Sequence, residues 1–271
     1  LAENAANGAS AEITASATDA DGTTNTVTYA ITAQSCTGAF AIDSGSGAVT
    51  VADTSAIDYE TATSCTITVR ATSADSSTSD TTFTVSISDH DEFDVGSSSD
   101  TDSDANTLAE SVSNGASAEI TASATDADGT TNTVTYAISS QSCSGAFAID
   151  SGTGAITVAD TSAIDYETAT SCTITVTATS ADGSTSDTTF TVTITDVDEF
   201  DVGAVSDTDS DANTLAENAA NGASAEITAS ATDADGTTNT VTYAINSQSC
   251  SGAFAIGESS GAVTVADTSA I

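Results

Sequence analysis

The feature that most constrains this chain is that it repeats. Leu1-Ala-Glu3 returns as Leu108-Ala-Glu110 and Leu215-Ala-Glu217, a period of 107 residues. Asp19-Ala-Asp-Gly22 returns at Asp126 and Asp233, and Cys36 at Cys143 and Cys250, with the same offset. A period of this length is a whole domain and not one turn of a solenoid, so each copy must enclose its own core. The 271 residues hold about two and a half copies. The expected units are 1–92, the first lacking the start of its first strand, then 93–199, and then 200–271, lacking its C-terminal strands. Both ends fall inside a unit, which predicts a window on a longer array.

Within a unit the pattern is that of strands. Val27, Tyr29 and Ile31 alternate with small or polar residues, as do Phe40 and Ile42, Val49 and Val51, Ile67, Val69 and Ala71, and Phe83, Val85 and Ile87. Period-two alternation puts one set of side chains in a core and the other on a polar face. Gly, Asn, Asp and Ser interrupt the runs at the spacing of an all-β sandwich or barrel. Leu occurs only at the three repeated positions, and helix formers other than Ala are scarce. The cores are modest, each built from a few β-branched and aromatic residues. Such a core needs additional staples against the entropy of ordering the chain.

Cysteines supply one staple. Cys36 precedes Phe40 and Cys65 opens the Ile67–Val69 strand; Cys143 and Cys172 repeat the pair. A bond within each unit is the expected reading, with free buried thiols or a reactive or metal-binding cysteine as alternatives. No CxxC spacing or adjacent His points to zinc. A partner for Cys250 is expected beyond Ile271. Disulfides suit an oxidising, extracytoplasmic setting.

Acidity supplies the other. Asp and Glu number 40 against one basic residue, Arg70, for a net charge of −39. Self-repulsion on this scale opposes compaction unless counter-ions bind. It also argues against nucleic acid and anionic membrane as partners, since both are held through Lys and Arg. No apolar run is long enough to span a bilayer, and no signal-peptide pattern or Met is present.

The acidic residues gather where strands end. Ile87-Ser-Asp-His-Asp-Glu-Phe-Asp-Val-Gly96 and its copy Ile194-Thr-Asp-Val-Asp-Glu-Phe-Asp-Val-Gly203 each set four carboxylates within six positions, with no Lys or Arg beside them. Carboxylates so close repel unless a cation lies among them. Oxygen-only donors suit a hard ion such as calcium.

Taken together, these motifs resemble tandem cadherin-type repeats, of the bacterial sort found in very large surface proteins. Glu3 and Glu110 resemble that family's early glutamate; Asp19-Ala-Asp21 and Asp126-Ala-Asp128 its Asp-x-Asp motif. Ile57-Asp-Tyr-Glu60 and Ile164-Asp-Tyr-Glu167 resemble its Leu-Asp-Arg-Glu motif; Asp89-His-Asp-Glu92 and Asp196-Val-Asp-Glu199 its acidic linker. The resemblance implies end-to-end, seven-stranded Greek-key sandwiches (immunoglobulin- or cadherin-like), with calcium at each joint. The implied ligands of the first joint are Glu3, Asp58, Glu60, Asp89, Asp91 and Glu92, with Asp126 and Asp128 from the next unit. Those of the second are Glu110, Asp165, Glu167, Asp196, Asp198 and Glu199, with Asp233 and Asp235. Asn132 and Asn239 are weaker candidates, because Gly falls one place early. Ala71-Thr-Ser73 and Ala178-Thr-Ser180 replace the family's Ala-x-Asp motif, with Asp75 and Asp182 two places later, so one ligand is missing or shifted.

Other signals are bland. Asp100-Thr-Asp-Ser-Asp104 starts like an EF-hand loop but lacks that loop's Gly and closing Glu. It reads as a solvated acidic run, with weak calcium binding as the alternative. His90 is the only His and its counterpart is Val197; Arg70 corresponds to Thr177. No Ser-His-Asp set can be assembled, and Asp58 with Glu60 fits ion ligation better than a glycosidase pair. Tyr59 and Tyr166 are expected to pack. An enzyme is not expected.

The expectation is therefore an extracellular or cell-surface shaft stiffened by calcium, with further copies of the array as partners and filament assembly as one form of it. A directly adhesive module binding itself, another cell or a glycan is the alternative, and a protein adapted to high salt a third reading.

Overall fold

The computed structural model describes residues 1–271. Its regular structure is strand, apart from three short 3-10 turns at Thr54–Ala56, Thr161–Ala163 and Thr268–Ala270. No helix is long and apolar enough to cross a membrane. Each 3-10 turn is opened by an aspartate, Asp53, Asp160 or Asp267, whose side chain accepts from the serine amide two places on. That bond satisfies a donor the turn itself leaves open.

The middle unit shows the architecture in full. One sheet runs Val134–Gln141, Ser171–Ser180, Thr185–Thr195, Thr107–Ala109; the other runs Phe147–Ile149, Ala155–Val158, Ser117–Ser123, Ser99–Asp100. Neighbours are antiparallel except Thr107–Ala109, which lies parallel to Thr185–Thr195. Ser99–Asp100 and Thr107–Ala109 are the halves of a first strand that begins in one sheet and finishes in the other. Counted once, they leave seven strands. The fold is all-β, Greek-key sandwiches in tandem, as the resemblance implies.

Alternation explains which side of each strand is dry. In Ser171–Ser180 the residues Cys172, Ile174, Val176, Ala178 and Ser180 are buried, while intervening threonines reach outward. The facing sheet contributes Ala118, Ile120, Ala122, Ile156 and Val158 to the same core. Two turns demand glycine: a Cβ on Gly47 or Gly154 would lie within 2.2 Å of the Ala15 or Ala122 carbonyl oxygen. Ser117–Ser123 carries a bulge, where Glu119 takes a left-handed φ of 55° and the register shifts. Glu12 and Glu226 do the same in the other units.

The first unit repeats this plan with Ser10–Thr14, Ala48–Val51 and Phe40–Ile42 facing Val27–Gln34, Ser64–Ser73 and Thr78–Ser86. Ala2 bridges Ser88 in parallel, in place of the parallel strand. The third unit has one sheet, Ser206–Asp207, Ser224–Ser230, Ala262–Val265 and Phe254–Ile256. Val241–Gln248 forms no strand there, because its counterparts Val27–Gln34 and Val134–Gln141 pair with Ser64–Ser73 and Ser171–Ser180 and this sequence contains no third copy of that strand.

Both expected disulfides are present, Cys36–Cys65 and Cys143–Cys172, with Cα atoms 5.6 and 5.5 Å apart. Cys250 is free and exposed. Arg70 pairs with Asp80 across two strands at 2.7 Å on an exposed face.

A difference between units one and two bears on the joints. Val95 lies in the second unit's core, at 6% exposure. Its amide donates to Ser184 Oγ at 2.9 Å, and the amide of Ser98 to Thr188 Oγ1 at 3.1 Å. Gly96 donates to the Thr125 carbonyl at 2.9 Å. The chain leaving the first unit is thus stitched into the second within a few residues of the acidic linker.

Candidate metal centre

Each linker leaves a strand that is held in the core and immediately meets the glutamate near the start of its own unit. Glu3 is buried, at 6% exposure, and its two oxygens are aimed by two backbone donors. Oε2 accepts from the Tyr59 amide and Oε1 from the His90 amide, both at 2.6 Å. Glu110 repeats this with the amides of Tyr166 and Val197 at 2.7 and 2.5 Å. Only the backbone at position 90 is used in this bond, so His90 and Val197 are interchangeable there. The arrangement ties the Asp-Tyr-Glu turn and the linker together around one carboxylate.

Around that carboxylate the acids converge. Glu3, Glu60, Asp89 and Glu92 offer oxygens that all lie within 4.8 Å of one another, and Glu110, Glu167, Asp196 and Glu199 repeat the set. Asp91, Asp128 and Asp182 form a second cluster of the same tightness that spans the first joint. Asp128 is 1% exposed and Asp235 2%. Loop hydrogen bonds hold Asp128 in place: its amide donates to Asp126 Oδ1 at 3.1 Å, and Asn132 Nδ2 donates to its carbonyl at 2.6 Å. Thr130 and Thr237 in the following units donate to Asp89 and Asp196.

These carboxylates lack enough donors. Asp89 Oδ1, Asp126 Oδ2, Asp196 Oδ1 and Asp235 Oδ1 are buried and have no hydrogen-bond partner. A buried acceptor left unpaired costs the desolvation of that group, and native structures rarely tolerate it without an ion or water. Four such oxygens, all at the two joints, form an all-oxygen donor set with no basic side chain among them. That set fits a hard divalent cation.

Charge crowding shows in the proton affinities. Glu92 is raised to about 7, first by desolvation and then by Glu3, Glu60, Asp128 and Asp89. Glu199 is raised to about 7 by desolvation, Glu110 and Glu167. Asp91 is raised to about 6, chiefly because it shares a hydrogen bond with the Asp128 carboxylate. Asp198 is raised by the same contact with Asp235, and Glu60 and Glu167 by desolvation. Burial, shared hydrogen bonds and neighbouring carboxylates all favour the protonated form of these groups.

Of the residues singled out from the sequence, Glu3, Glu60, Asp89, Asp91, Glu92 and Asp128 come together, with Asp126 joined through the Asp128 amide. Asp58 and Asp165 are outside those clusters. Each turns to the threonine three places on: Asp58 accepts from Thr61 Oγ1 at 2.8 Å and Asp165 from Thr168 Oγ1 at 2.8 Å. Those bonds lower the pKa of both carboxylates. In the second joint Glu110, Glu167, Asp196 and Glu199 come together, and Asp198 meets Asp235, whose amide donates to Asp233. Asn132 and Asn239 brace the loop through backbone carbonyls.

Asp182 is the residue that sequence reasoning did not place among the ligands. Ser180, standing where the family motif has an acid, is buried and donates to the Thr131 carbonyl at 2.8 Å. Asp182, in the hairpin two places later, brings its carboxylate to Asp91 and Asp128 instead. The acid near this position is thus Asp182, two places beyond Ala-Thr-Ser. Asp75 occupies the same place in the first unit and clusters with Asp19 and Asp21. The EF-hand-like run differs: Asp100 lies in a short strand and accepts from the Asp102 and Thr121 amides, both at 3.0 Å. Asp102, Asp104 and Glu119 gather nearby.

The family profile for the cadherin domain matches residues 1–88 and 106–195. Among solved structures, mouse cadherin-23 EC22-24 is 25% identical, with a TM-score of 0.75 over 98% of this chain and 83% of that one. Protocadherin Gamma B2 extracellular cadherin domains 1-5 superpose with a TM-score of 0.77 at 22% identity, over 97% of this chain and 50% of that one. Domains 3-6 of the same protein give 0.73 at 23%, over 98% and 62%. The chain thus spans only part of the length of those protocadherin segments. Among curated proteins none matches it.

Proposed function

The chain belongs to the cadherin domain family, and from that premise we propose that it is a length of shaft from a long extracellular protein, its joints stiffened by calcium. The units of the shaft are 1–92, 93–199 and 200–271. The ions are held at the first joint by Glu3, Glu60, Asp89, Asp91, Glu92, Asp126 and Asp128, with Asp182 added, and at the second by Glu110, Glu167, Asp196, Asp198, Glu199, Asp233 and Asp235. Asp58 and Asp165 act on the turn that carries Glu60 and Glu167. Calcium bridging acids of two units replaces mutual repulsion with attraction, so a hinge becomes a strut. The near-identity of the units gives every joint the same task, as in a spacer or fibre body of a bacterial surface protein. Further copies of the array, in one chain or between chains, are its natural neighbours.

The observation that carries this reading is the set of buried, unpaired carboxylate oxygens, all located where one unit meets the next. Small-angle scattering of the full chain in calcium chloride and then in excess EDTA tests it. The proposal expects a rod in calcium and a shorter, broader distribution of distances after chelation. An unchanged profile after complete chelation would overturn it. The alternative, a directly adhesive module, is separated by binding assays on beads coated with the chain: a shaft leaves them dispersed in calcium, an adhesive module gathers them.

A further inference from the structure

The two joints share a contact that carries no charge. An ideal Cβ on Gly129 would lie 2.5 and 2.6 Å from Cδ1 and Cε1 of Tyr59, and 2.7 Å from Oε1 of Glu60. On Gly236 it would lie 2.6 Å from both Tyr166 ring carbons and 2.7 Å from Glu167 Oε1. In each case the ring belongs to the preceding unit and the glycine to the following one. Ordinary carbon contacts are about 3.5–4.0 Å, so any side chain at these glycines would force ring or loop aside by about 1 Å.

Backbone conformation does not explain these glycines. The left-handed glycines of the chain include Gly115, Gly154 and Gly261, but neither Gly129 nor Gly236. Neither has the positive φ that favours glycine, and what crowds out a side chain there is the neighbouring ring. Gly22, at the same repeat position within the same Asp-Ala-Asp-Gly sequence, has nothing within 4 Å.

Tyr59 is well placed for such a contact. Its amide is fixed by Glu3 and its ring packs partly against the first unit's core. It therefore reaches from one hydrophobic core to the surface of the next unit. Glu60 follows directly, and the Gly129 backbone amide faces its carboxylate. The position of the ring on Gly129 and the position of Glu60 in the acidic cluster are thus one geometric decision.

We infer that Gly129 and Gly236 are seats for the tyrosine of the preceding unit, a steric lock that sets the approach and twist of adjacent units and positions Glu60 and Glu167. The lock stands on contact geometry alone; only its effect on ion affinity rests on the calcium reading above.

Hydrogen exchange of the full chain, followed by mass spectrometry, reads each joint separately through residues 87–96 and 194–203. Gly129→Ala is expected to speed exchange at 87–96 by about tenfold or more, in calcium chloride and in EDTA, with 194–203 unchanged; Gly236→Ala is expected to do the reverse. Gly22→Ala is expected to alter neither. In a Tyr59→Ala background, adding Gly129→Ala is expected to have a much smaller effect at 87–96, because the ring it would strike is gone and only the flexible Glu60 carboxylate remains to give way. Calorimetric titration with calcium chloride is expected to show weakened binding in Gly129→Ala and not in Gly22→Ala. The lock is refuted if Gly129→Ala behaves like Gly22→Ala in EDTA, or if its effect is undiminished without the Tyr59 ring, which would assign the glycine to its own loop. A wild-type chain that takes up no calcium would overturn the shaft reading, and the EDTA comparison would still decide the lock.

Discussion

Asp89 concentrates the argument at the scale of one residue. One of its oxygens takes a hydroxyl from Thr130 across the joint, and the other is buried with no partner. Asp89→Asn should therefore act in opposite directions with and without the ion. In calcium it should weaken binding at the first joint by at least about tenfold, or roughly 1.4 kcal/mol, read by calorimetry. In EDTA it should raise the melting temperature, because it removes one of several repelling charges. Proton affinity extends the same logic. Glu92 and Glu199 stand near 7 and Asp91 near 6, all above the values of unfolded carboxylates. The folded, ion-free chain therefore binds more protons than the unfolded one between about pH 4.5 and 7. Stability from these groups is fully present below the unfolded pKa and is lost as pH rises through 6 and 7. Melting in EDTA should thus be higher at pH 5 than at pH 8. With calcium the order should reverse, since the ion needs the deprotonated acids. Melting curves at the two pH values, with and without calcium, check both signs.

Elements decide which residues of a repeat share an environment. Val95 and Val202 occupy one repeat position, yet Val95 is 6% exposed and Val202 55%. The segment from Val95 to Ser98 lies against the Ser184 and Thr188 side chains of the second unit's last hairpin, and no third copy of that hairpin is present for Val202. Val95→Ala should cost roughly 1–2 kcal/mol of stability, for the lost burial and the cavity left behind. Val202→Ala should change it by less than about 0.5 kcal/mol. Chemical denaturation of the two variants side by side would show whether the linker is a structural part of the unit that follows it. The strands themselves were largely legible: the alternating runs at 27–31, 40–42, 49–51, 67–71 and 83–87 all lie in strands or at their ends. Ser10–Thr14 and the two short pieces of the middle unit's first strand were not singled out. They are brief, and the Glu12 bulge breaks the alternation that would have marked the longer one.

For the whole molecule the net charge of −39 is the governing number. Raising sodium chloride screens exposed acids, with a Debye length of about 10 Å at 0.1 M, but it cannot bridge oxygens already out of water. In EDTA, salt from 0.05 to 0.5 M should raise the melting temperature without restoring the rod-like scattering profile. Calcium at millimolar concentration should restore it. Equal rescue by sodium chloride would favour the salt-adapted reading and count against bridging ions. The Tyr59–Gly129 and Tyr166–Gly236 contacts belong to this scale too, since each brings a tyrosine packed on one unit's core against the surface of the next unit.

By itself the sequence determined the period, the all-β class, the two disulfides and the residue types of the joints. Each of these follows from local order: alternation, spacing and repetition survive in one dimension. Tertiary structure alone decided that Asp182 joins Asp91 and Asp128 while Asp58 turns to Thr61, and that a tyrosine of one unit covers a glycine of the next. Those are contacts between segments brought together by docking two sandwiches. Whether a carboxylate faces its neighbour or its own turn depends on angles that no linear pattern records.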